Sequence, residues 1–345
     1  MWLQGVGALA LACAIAYGAT PLVRRLALRV GALDRPVARS VHNKPTPRLG
    51  GLAICLAAVV SLLAFLRGGG HDAYAILGGA AVILAVGVID DVKGLPAWAK
   101  LLWQIAAAAA LVAAGVRVEW LTNPSGGMWH LPVLGIPITL FWVVAVINVV
   151  NLVDGLDGLA AGISTIAALT LMIVTAGQGQ VVAMVVMGAV AGAALGFLPY
   201  NFNPAKIFMG DTGSMFLGYM IAAVSVQWTL KCTTVVALAV PVLALGLPIF
   251  DTSFAILRRL AARRPVHEAD QEHLHHRLLR LGFTQRQVVV LMYVLSAGLG
   301  LCAVLLSEWK AWQAGLMFLL VVGGAFAGLR RTGVFALQRP RQVDR

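Results

Sequence analysis

Along this chain apolar residues gather in long uncharged runs, and polar residues gather in the short stretches between them. The runs lie near 3–22, 49–66, 73–89, 101–116, 131–149, 159–176, 180–199, 214–230, 232–250, 287–306 and 311–329. Each is close to the roughly 20 apolar residues a helix needs to cross a bilayer. The pattern predicts an all-α, polytopic integral membrane protein of about eleven transmembrane helices. The first run lacks a basic start and is followed by Arg24-Arg25 rather than a small-residue cleavage site. It reads as a retained first helix, not as a signal peptide.

Composition agrees. Of 345 residues 60% are hydrophobic and 12% charged, and the mean hydropathy is +0.88. A soluble domain carries about a quarter charged residues, so the solvent for most of this chain is lipid. All but four of the 26 Lys and Arg fall in one alternating set of segments: 24–48, 90–100, 150–158, 200–213, 251–286 and 330–345. The exceptions are Arg67, Arg117, Lys231 and Lys310. By the positive-inside rule this set faces the cytoplasm, with the N-terminus outside and the C-terminus cytoplasmic, in an inner (plasma) membrane. The net charge of +12 then describes a basic face beside anionic lipid. It does not point to nucleic acid, because the basic residues follow loops rather than a compact domain.

Residues 1–329 read as a single transmembrane domain and 330–345 as a basic cytoplasmic tail. The longest polar stretch, 251–286, is too short for an independent nucleotide-binding domain, so any active site is assembled from several cytoplasmic loops. Cys13, Cys55, Cys232 and Cys302 show no CxxC spacing and read as small buried apolar residues. Trp98, Trp103, Trp120, Trp129 and Trp309 read as interfacial anchors.

The conspicuous carboxylates sit where apolar runs end. Asp90 and Asp91 are adjacent, with Lys93 and Lys100 nearby. Paired carboxylates raise one another's pKa unless a cation is near, which suits a general base or a metal contact. A solvated helix end is the alternative. Asn148, Asn151, Asp154 and Asp157 recur every third residue and would share one helical face as a polar ladder. At bilayer depth such groups are costly, and they serve either function or hydrogen bonds between helices. In Phe208-Met209-Gly210-Asp211-Thr212-Gly213-Ser214 the glycines admit a ligand close to the backbone. Asp211 and Ser214 offer oxygen ligands or a helix N-cap, and a few hard oxygens suit Mg2+, with Mn2+ as the alternative. Downstream, Asp270, His273 and His276 would share a helical face, beside His275, Arg277 and Arg280. Imidazoles among arginines favour a pyrophosphate contact over a zinc site. The basic, proline-stiffened loop 34–51 offers Lys44 and Arg48 to an anionic lipid head group. Because the carboxylates cluster at one face and the centres of the runs carry no charge, a transporter or channel is the weaker reading.

Four motifs in this order, Asp-Asp-x-Lys at 90–93, Asn-x-x-Asp-x-x-Asp-Gly at 151–158, Phe-Met-Gly-Asp-Thr-Gly-Ser at 208–214 and His-Leu-His-His at 273–276, resemble the polyprenyl-phosphate N-acetylhexosamine-1-phosphate transferases. The His-x-His-His form and the extra span resemble the branch that uses N-acetylglucosamine and starts teichoic-acid or O-antigen-type polymers, more than the phospho-MurNAc-pentapeptide translocases. Arg39-Ser40-Val41-His42 departs from relatives, which often carry Lys after that Arg. The resemblance implies transfer of a sugar-1-phosphate from a UDP-N-acetylhexosamine to a polyprenyl phosphate, with release of UMP and a homodimer as a further candidate assembly. It implies Asp211 and Asn151 as Mg2+ ligands, Phe208 and Asp157 at the uracil, and Lys93 and Lys100 at phosphates. Asp90 or Asp91 would deprotonate or position the lipid phosphate, His273, His275 and His276 would hold pyrophosphate or sugar, and Asp154 would join the catalytic group. Direct attack and an aspartyl intermediate both fit this set.

Overall fold

The computed structural model describes residues 2–34, 45–66, 71–122, 128–229, 236–261 and 274–308, with five further positions between 313 and 324. Its helices are α1 (Trp2–Val30), α2 (Gly51–Phe65), α3 (His71–Lys93), α4 (Ala97–Ala113), α5 (Gly135–Val153), α6 (Leu159–Gly177), α7 (Val181–Asn201) and α8 (Gly210–Val224). A π-helical turn, Ser225–Thr229, continues α8; then come α9 (Val236–Ala244), α10 (Gly246–Ala261), α11 (Leu274–Arg280) and α12 (Gln285–Glu308). Two short antiparallel ribbons interrupt the otherwise all-α architecture: β1 (Leu33–Asp34) with β2 (Thr46–Pro47), and β3 (Trp120–Thr122) with β4 (Met128–His130). Among the described residues α1, α3, α5, α6, α7 and α12 are long and apolar enough to cross a membrane. This is an α-helical membrane protein.

The first ten predicted runs fall on helices in order; the run 311–329, Trp309 and the tail lie outside the fully described segments. Helices extend beyond the apolar runs where polar residues can reach the bundle end. α1 carries Arg24, Arg25 and Arg29 on its last turns rather than in a loop. α3 runs through Asp90 and Asp91 to Lys93, so the expected loop 90–100 shrinks to Gly94–Pro96 before α4. The run 232–250 is not one helix: α9 and α10 break at Leu245, and α10 continues past Asp251. Trp98, Trp103, Trp120 and Trp129 are all exposed, as expected of interfacial anchors.

α6, α7 and α8 form the interior, while α1 and α12 keep large exposed apolar faces. Small residues set the closest approaches. On α7, Gly188, Gly192 and Gly196 recur every four residues, and a Cβ on each would run into the carbonyl oxygens of Gly5, Leu9 and Cys13 on α1. The facing stripe of α1, Ala8, Ala12, Ala16 and Thr20, is fully buried. In lipid, helix association relies on such close backbone packing, because the hydrophobic effect gives little preference for helix over lipid contact. The same device joins α2, α3 and α8 at one end of the bundle. A Cβ on Gly51 would strike the Gly213 nitrogen, and one on Gly87 would lie 2.5 Å from the Thr212 Cα.

Gly192→Leu should wedge α1 from α7 and cost at least the roughly 1–3 kcal/mol typical of overpacking. Gly18→Leu on the open side of α1, where an added Cβ meets nothing within 4 Å, should be tolerated. Thermal unfolding in detergent compares them; equal midpoints would refute this account of the interface.

Candidate active site at one end of the bundle

The ends of α3, α5 and α7 and the starts of α2, α4, α6 and α8 meet where these close approaches occur. Asp91 is 4% exposed. Its carboxylate accepts the backbone N–H of Asp211 at 2.9 Å, the N–H of Thr212 at 3.0 Å and the Thr212 hydroxyl at 2.6 Å. The first turn of a helix leaves N–H groups without partners, and its dipole favours a negative charge there. The N-cap position of α8 is Met209, which makes no side-chain cap. The cap comes instead from α3. Gly210 adopts a positive φ of 72°, and a Cβ there would overlap the Asp91 carboxylate. Asp91 is thus committed to holding α8.

Asp90 faces another way. Its Oδ1 accepts the Leu95 N–H at 2.6 Å and its Oδ2 meets Lys100 Nζ at 3.2 Å. Lys100 bridges onward to Asp211 Oδ2 at 2.7 Å. Arg48 Nη2 donates to the Asp90 carbonyl at 3.1 Å, and its Nε lies 3.5 Å from Asp91 Oδ1. Arg48 is placed by a strand-like bridge to Phe208, in which Phe208 N–H donates to the Pro47 carbonyl at 2.8 Å and Gly50 N–H to the Phe208 carbonyl at 3.0 Å. This sets half-buried Phe208 beside the charged cluster.

The predicted ladder is corrected. α5 ends at Val153, Asp154 is its C-cap and Asp157 lies beyond it, so only Asn148, Asn151 and Asp154 share the helix end. Asn148 pairs between helices with Gln104, the alternative raised by its depth. Asn151 Nδ2 donates to Ser214 Oγ at 2.9 Å, and its amide also hydrogen-bonds the Asp211 carboxylate. No donor among the described residues reaches the Asp154 carboxylate. Burial first, then the charges of Asp211, Asp91 and Asp157, push its pKa up to about 8. Asp157 Oδ2 accepts from Asn203 Nδ2 at 2.9 Å and from Ala205 N–H at 3.0 Å, so one oxygen organises the 201–206 loop. Asn203 is also gripped by α12, through Gln285 Oε1 at 2.7 Å and Arg286 Nε at 3.0 Å.

The structure therefore brings together Arg48, Asp90, Asp91, Lys100, Asn151, Asp154 and Asp211. Lys93 is exposed on the last turn of α3 and pairs with no described residue. Asp251, expected in a loop, sits within α10 and caps α11 by accepting the Leu274 N–H at 2.8 Å. His275 is buried with its Nε2 over Gly155, where a Cβ would lie only 2.9 Å away, and His276 packs against it at 4.3 Å between ring centroids. Lys44, Asp270 and His273 lie outside the described residues. Thr212 proves to be a structural member of the Asp211 motif, with its place next to Asp211 as its only signal, and Ser214, expected as an oxygen ligand or N-cap, instead donates to the Gly210 carbonyl and accepts from Asn151. Nothing in the sequence marked Asn203, Gln285 or Gln104.

Among the described residues no three Asp, Glu, His or Cys side chains already enclose a metal point. The donors present still fit a hard cation that keeps water or phosphate oxygens as its other ligands. Asp211 and Asn151 offer oxygens on adjoining helices, and Asp154 beside them is a carboxylate whose charge nothing in the described chain compensates.

Comparison with known proteins agrees with this geometry. The family model described as glycosyl transferase family 4 matches residues 73–229, which hold three of the four motifs. The chain is 39% identical over 305 residues to a probable undecaprenyl-phosphate N-acetylglucosaminyl 1-phosphate transferase of Bacillus subtilis, covering 88% of this chain and 85% of that protein. It is 41% identical over 313 residues to a decaprenyl-phosphate N-acetylglucosaminephosphotransferase of Mycobacterium tuberculosis, covering 82% and 78%. It is 31% identical over 350 residues to a phospho-N-acetylmuramoyl-pentapeptide-transferase of Streptococcus equi, covering 90% and 97%.

Thr212→Val should cost about 1.5–3 kcal/mol, because it removes the hydroxyl donor to a buried charge, whereas Thr212→Ser should keep most of that bond. Unfolding midpoints in detergent test this; equal loss in both variants would mean that the methyl group, not the hydroxyl, matters.

Proposed function

Because the chain belongs to glycosyl transferase family 4, the polyprenyl-phosphate N-acetylhexosamine-1-phosphate transferases, we propose that it transfers N-acetylglucosamine-1-phosphate from UDP-N-acetylglucosamine to undecaprenyl phosphate or a related polyprenyl phosphate, releasing UMP. The observation that carries this reading is the Asp90–Lys100–Asp211 chain at the mouth of an apolar bundle, in a protein 39–41% identical to relatives named for that sugar. The step would begin the membrane phase of a cell-envelope polysaccharide or teichoic acid.

The reaction exchanges one pyrophosphate linkage for another. A lipid phosphate oxygen becomes bonded to the sugar-bearing phosphorus, and UMP departs with the electron pair of the broken P–O bond. Positioning and charge stabilisation can supply most of the acceleration. Lys100, half-buried between Asp90 and Asp211, is placed to meet a phosphate oxygen, and Arg48 adds a second fixed positive charge. Asp90 is the better placed of the adjacent pair to accept or orient a proton of the lipid phosphate, since Asp91 is taken up by α8. Phe208 offers a ring for the uracil, and His275 and His276 flank the side of the site nearest Gly155. Mg2+ would be held by Asp211 and Asn151 beside Asp154, where it would neutralise the donor's pyrophosphate charge. Lipid and nucleotide can meet here only if this end of the bundle faces the cytoplasm, in agreement with the distribution of Lys and Arg.

Purified enzyme with Mg2+ and undecaprenyl phosphate should release UMP from UDP-N-acetylglucosamine and not from UDP-MurNAc-pentapeptide, and Asp211→Asn should abolish release. UMP from the pentapeptide donor alone would move the enzyme to peptidoglycan synthesis, and near-normal activity of the variant would remove Asp211 from the site. In a background without native cysteines, Ala262→Cys should react with a membrane-impermeant maleimide only from the cytoplasm and Ser125→Cys only from outside. The reverse would invert the orientation.

A further inference from the structure

Beneath the charged cluster lies a second polar tier built on α4, α5 and α8, three of the helices that carry the cluster. Asn148 Nδ2 on α5 donates to Gln104 Oε1 on α4 at 2.7 Å and to its own helix at the Val144 carbonyl at 2.8 Å. Gln104 Nε2 donates to Met215 Sδ on α8 at 3.6 Å. Each member stands about one helical turn, roughly 4.5–6 Å of rise, below a member of the cluster: Gln104 below Lys100, Asn148 below Asn151, Met215 below Asp211. Gln104 is 3% exposed, and Ala107 and Ala108 one turn along α4 and Val146 and Ile147 beside Asn148 on α5 are buried apolar residues. We infer that Gln104 and Asn148 are positioning residues that fix the rotation and depth of α4, α5 and α8, and so hold Lys100, Asn151 and Asp211 in register. The inference rests on the transfer reaction proposed above.

Apolar contacts are non-directional, so helices packed by alanine and valine alone can rotate or slide at little cost. An amide pair in an apolar interior cannot, because breaking it strands polar groups. At the level of the tier α5 and α8 touch backbone to backbone: a Cβ on Gly218 would lie 2.8 Å from the Ile147 Cα. A rotation of α5 is therefore passed directly to α8 and to Asp211 above. The sulfur contact is weak, so the specific part of the tier is the Gln104–Asn148 bond. A displacement of about 1 Å in a reacting group can cost on the order of 100-fold in rate.

The test uses the full-length enzyme in detergent with three readouts: kcat for UMP release, Mn2+ affinity by electron paramagnetic resonance, and the unfolding midpoint. Gln104→Leu and Asn148→Leu should each lower kcat by about 10–100-fold and weaken Mn2+ binding while the protein stays folded. Gln104→Asn and Asn148→Gln should each impair the enzyme, since one side chain is a methylene short and the other a methylene long. The double exchange Gln104→Asn with Asn148→Gln keeps the summed length and should recover most of both losses. Leucine variants with wild-type kcat and Mn2+ affinity would overturn the inference. So would a double exchange no better than its parts, or activity lost only in step with folded protein. If the wild type releases UMP from no donor but Mn2+ affinity still falls in the single variants and recovers in the exchange, the positioning role stands and the transfer reading fails.

Discussion

The site depends on one constraint: the N-terminus of α8 is buried, and its free N–H groups must be satisfied inside the protein. A helix can begin in water without penalty, but here Gly51 and Gly87 bring α2 and α3 against its first turn. The donors of Asp211 and Thr212 are closed off from solvent, and leaving them unmade would cost about 1–3 kcal/mol each. A carboxylate from α3 resolves this, and the helix dipole, Arg48 and the Thr212 hydroxyl together make burial of that charge tolerable. Because Asp91 grips residues 211 and 212 from one side, the side chain of Asp211 is turned to the other, toward Lys100 and Asn151. The placement of Asp211 follows from the cap.

The charges around that cap do not balance. Asp90, Asp91, Asp154 and Asp211 face Lys100 and Arg48, so two negative charges remain if every group is ionised. Asp154 adds to this: burial first, and then neighbours of like charge, displace its pKa to about 8. A buried carboxylate that tends to hold a proton is one at which a divalent cation could replace that proton. The cation would in turn draw in the pyrophosphate of the donor, while Lys100 and Arg48 keep the resting cluster from flying apart. Under the proposed reaction, such a site would suit a ligand that brings both signs of charge.

Much of this was legible in the sequence. The apolar runs located the helices, and carboxylates at their ends located the cluster, because charge in a lipid-facing chain is confined to a few places. What stayed hidden had specific physical causes. Asp157 fitted an i, i+3 ladder on paper, but the chain leaves the helix at Val153 and turns through Gly158, at φ 81°, so its carboxylate goes to the 201–206 loop. Asp90 and Asp91 looked like loop residues because their segment is polar, whereas partners supplied by α8 and Arg48 let the helix continue through them. The break at Leu245 is explained by Gly246 and by Pro248, which has no N–H for the Ala244 carbonyl, while the π-helical turn after α8 carries no local signal strong enough to read. The Gly188, Gly192 and Gly196 stripe was visible at its spacing of four, but a stripe does not name the helix it fits. Asn148 showed its depth and not its partner, since Gln104 lies 44 residues away.

The position of the cluster resolves a problem of phase. The proposed acceptor carries a long apolar tail and a charged head, and the proposed donor is a water-soluble anion. Neither can move far into the other's solvent without a cost of many kcal/mol. A site in mid-bilayer would have to dehydrate the nucleotide, and a site on an appended soluble domain would have to extract the lipid. In the proposed reaction, helix ends held together by Gly51, Gly87 and Asp91 would place fixed charges at the boundary itself, within reach of both. The cost moves to the protein, which must keep acidic side chains beside an apolar bundle. It does so with helix N-terminal donors, with Lys100 and Arg48, and with paired amides one turn below.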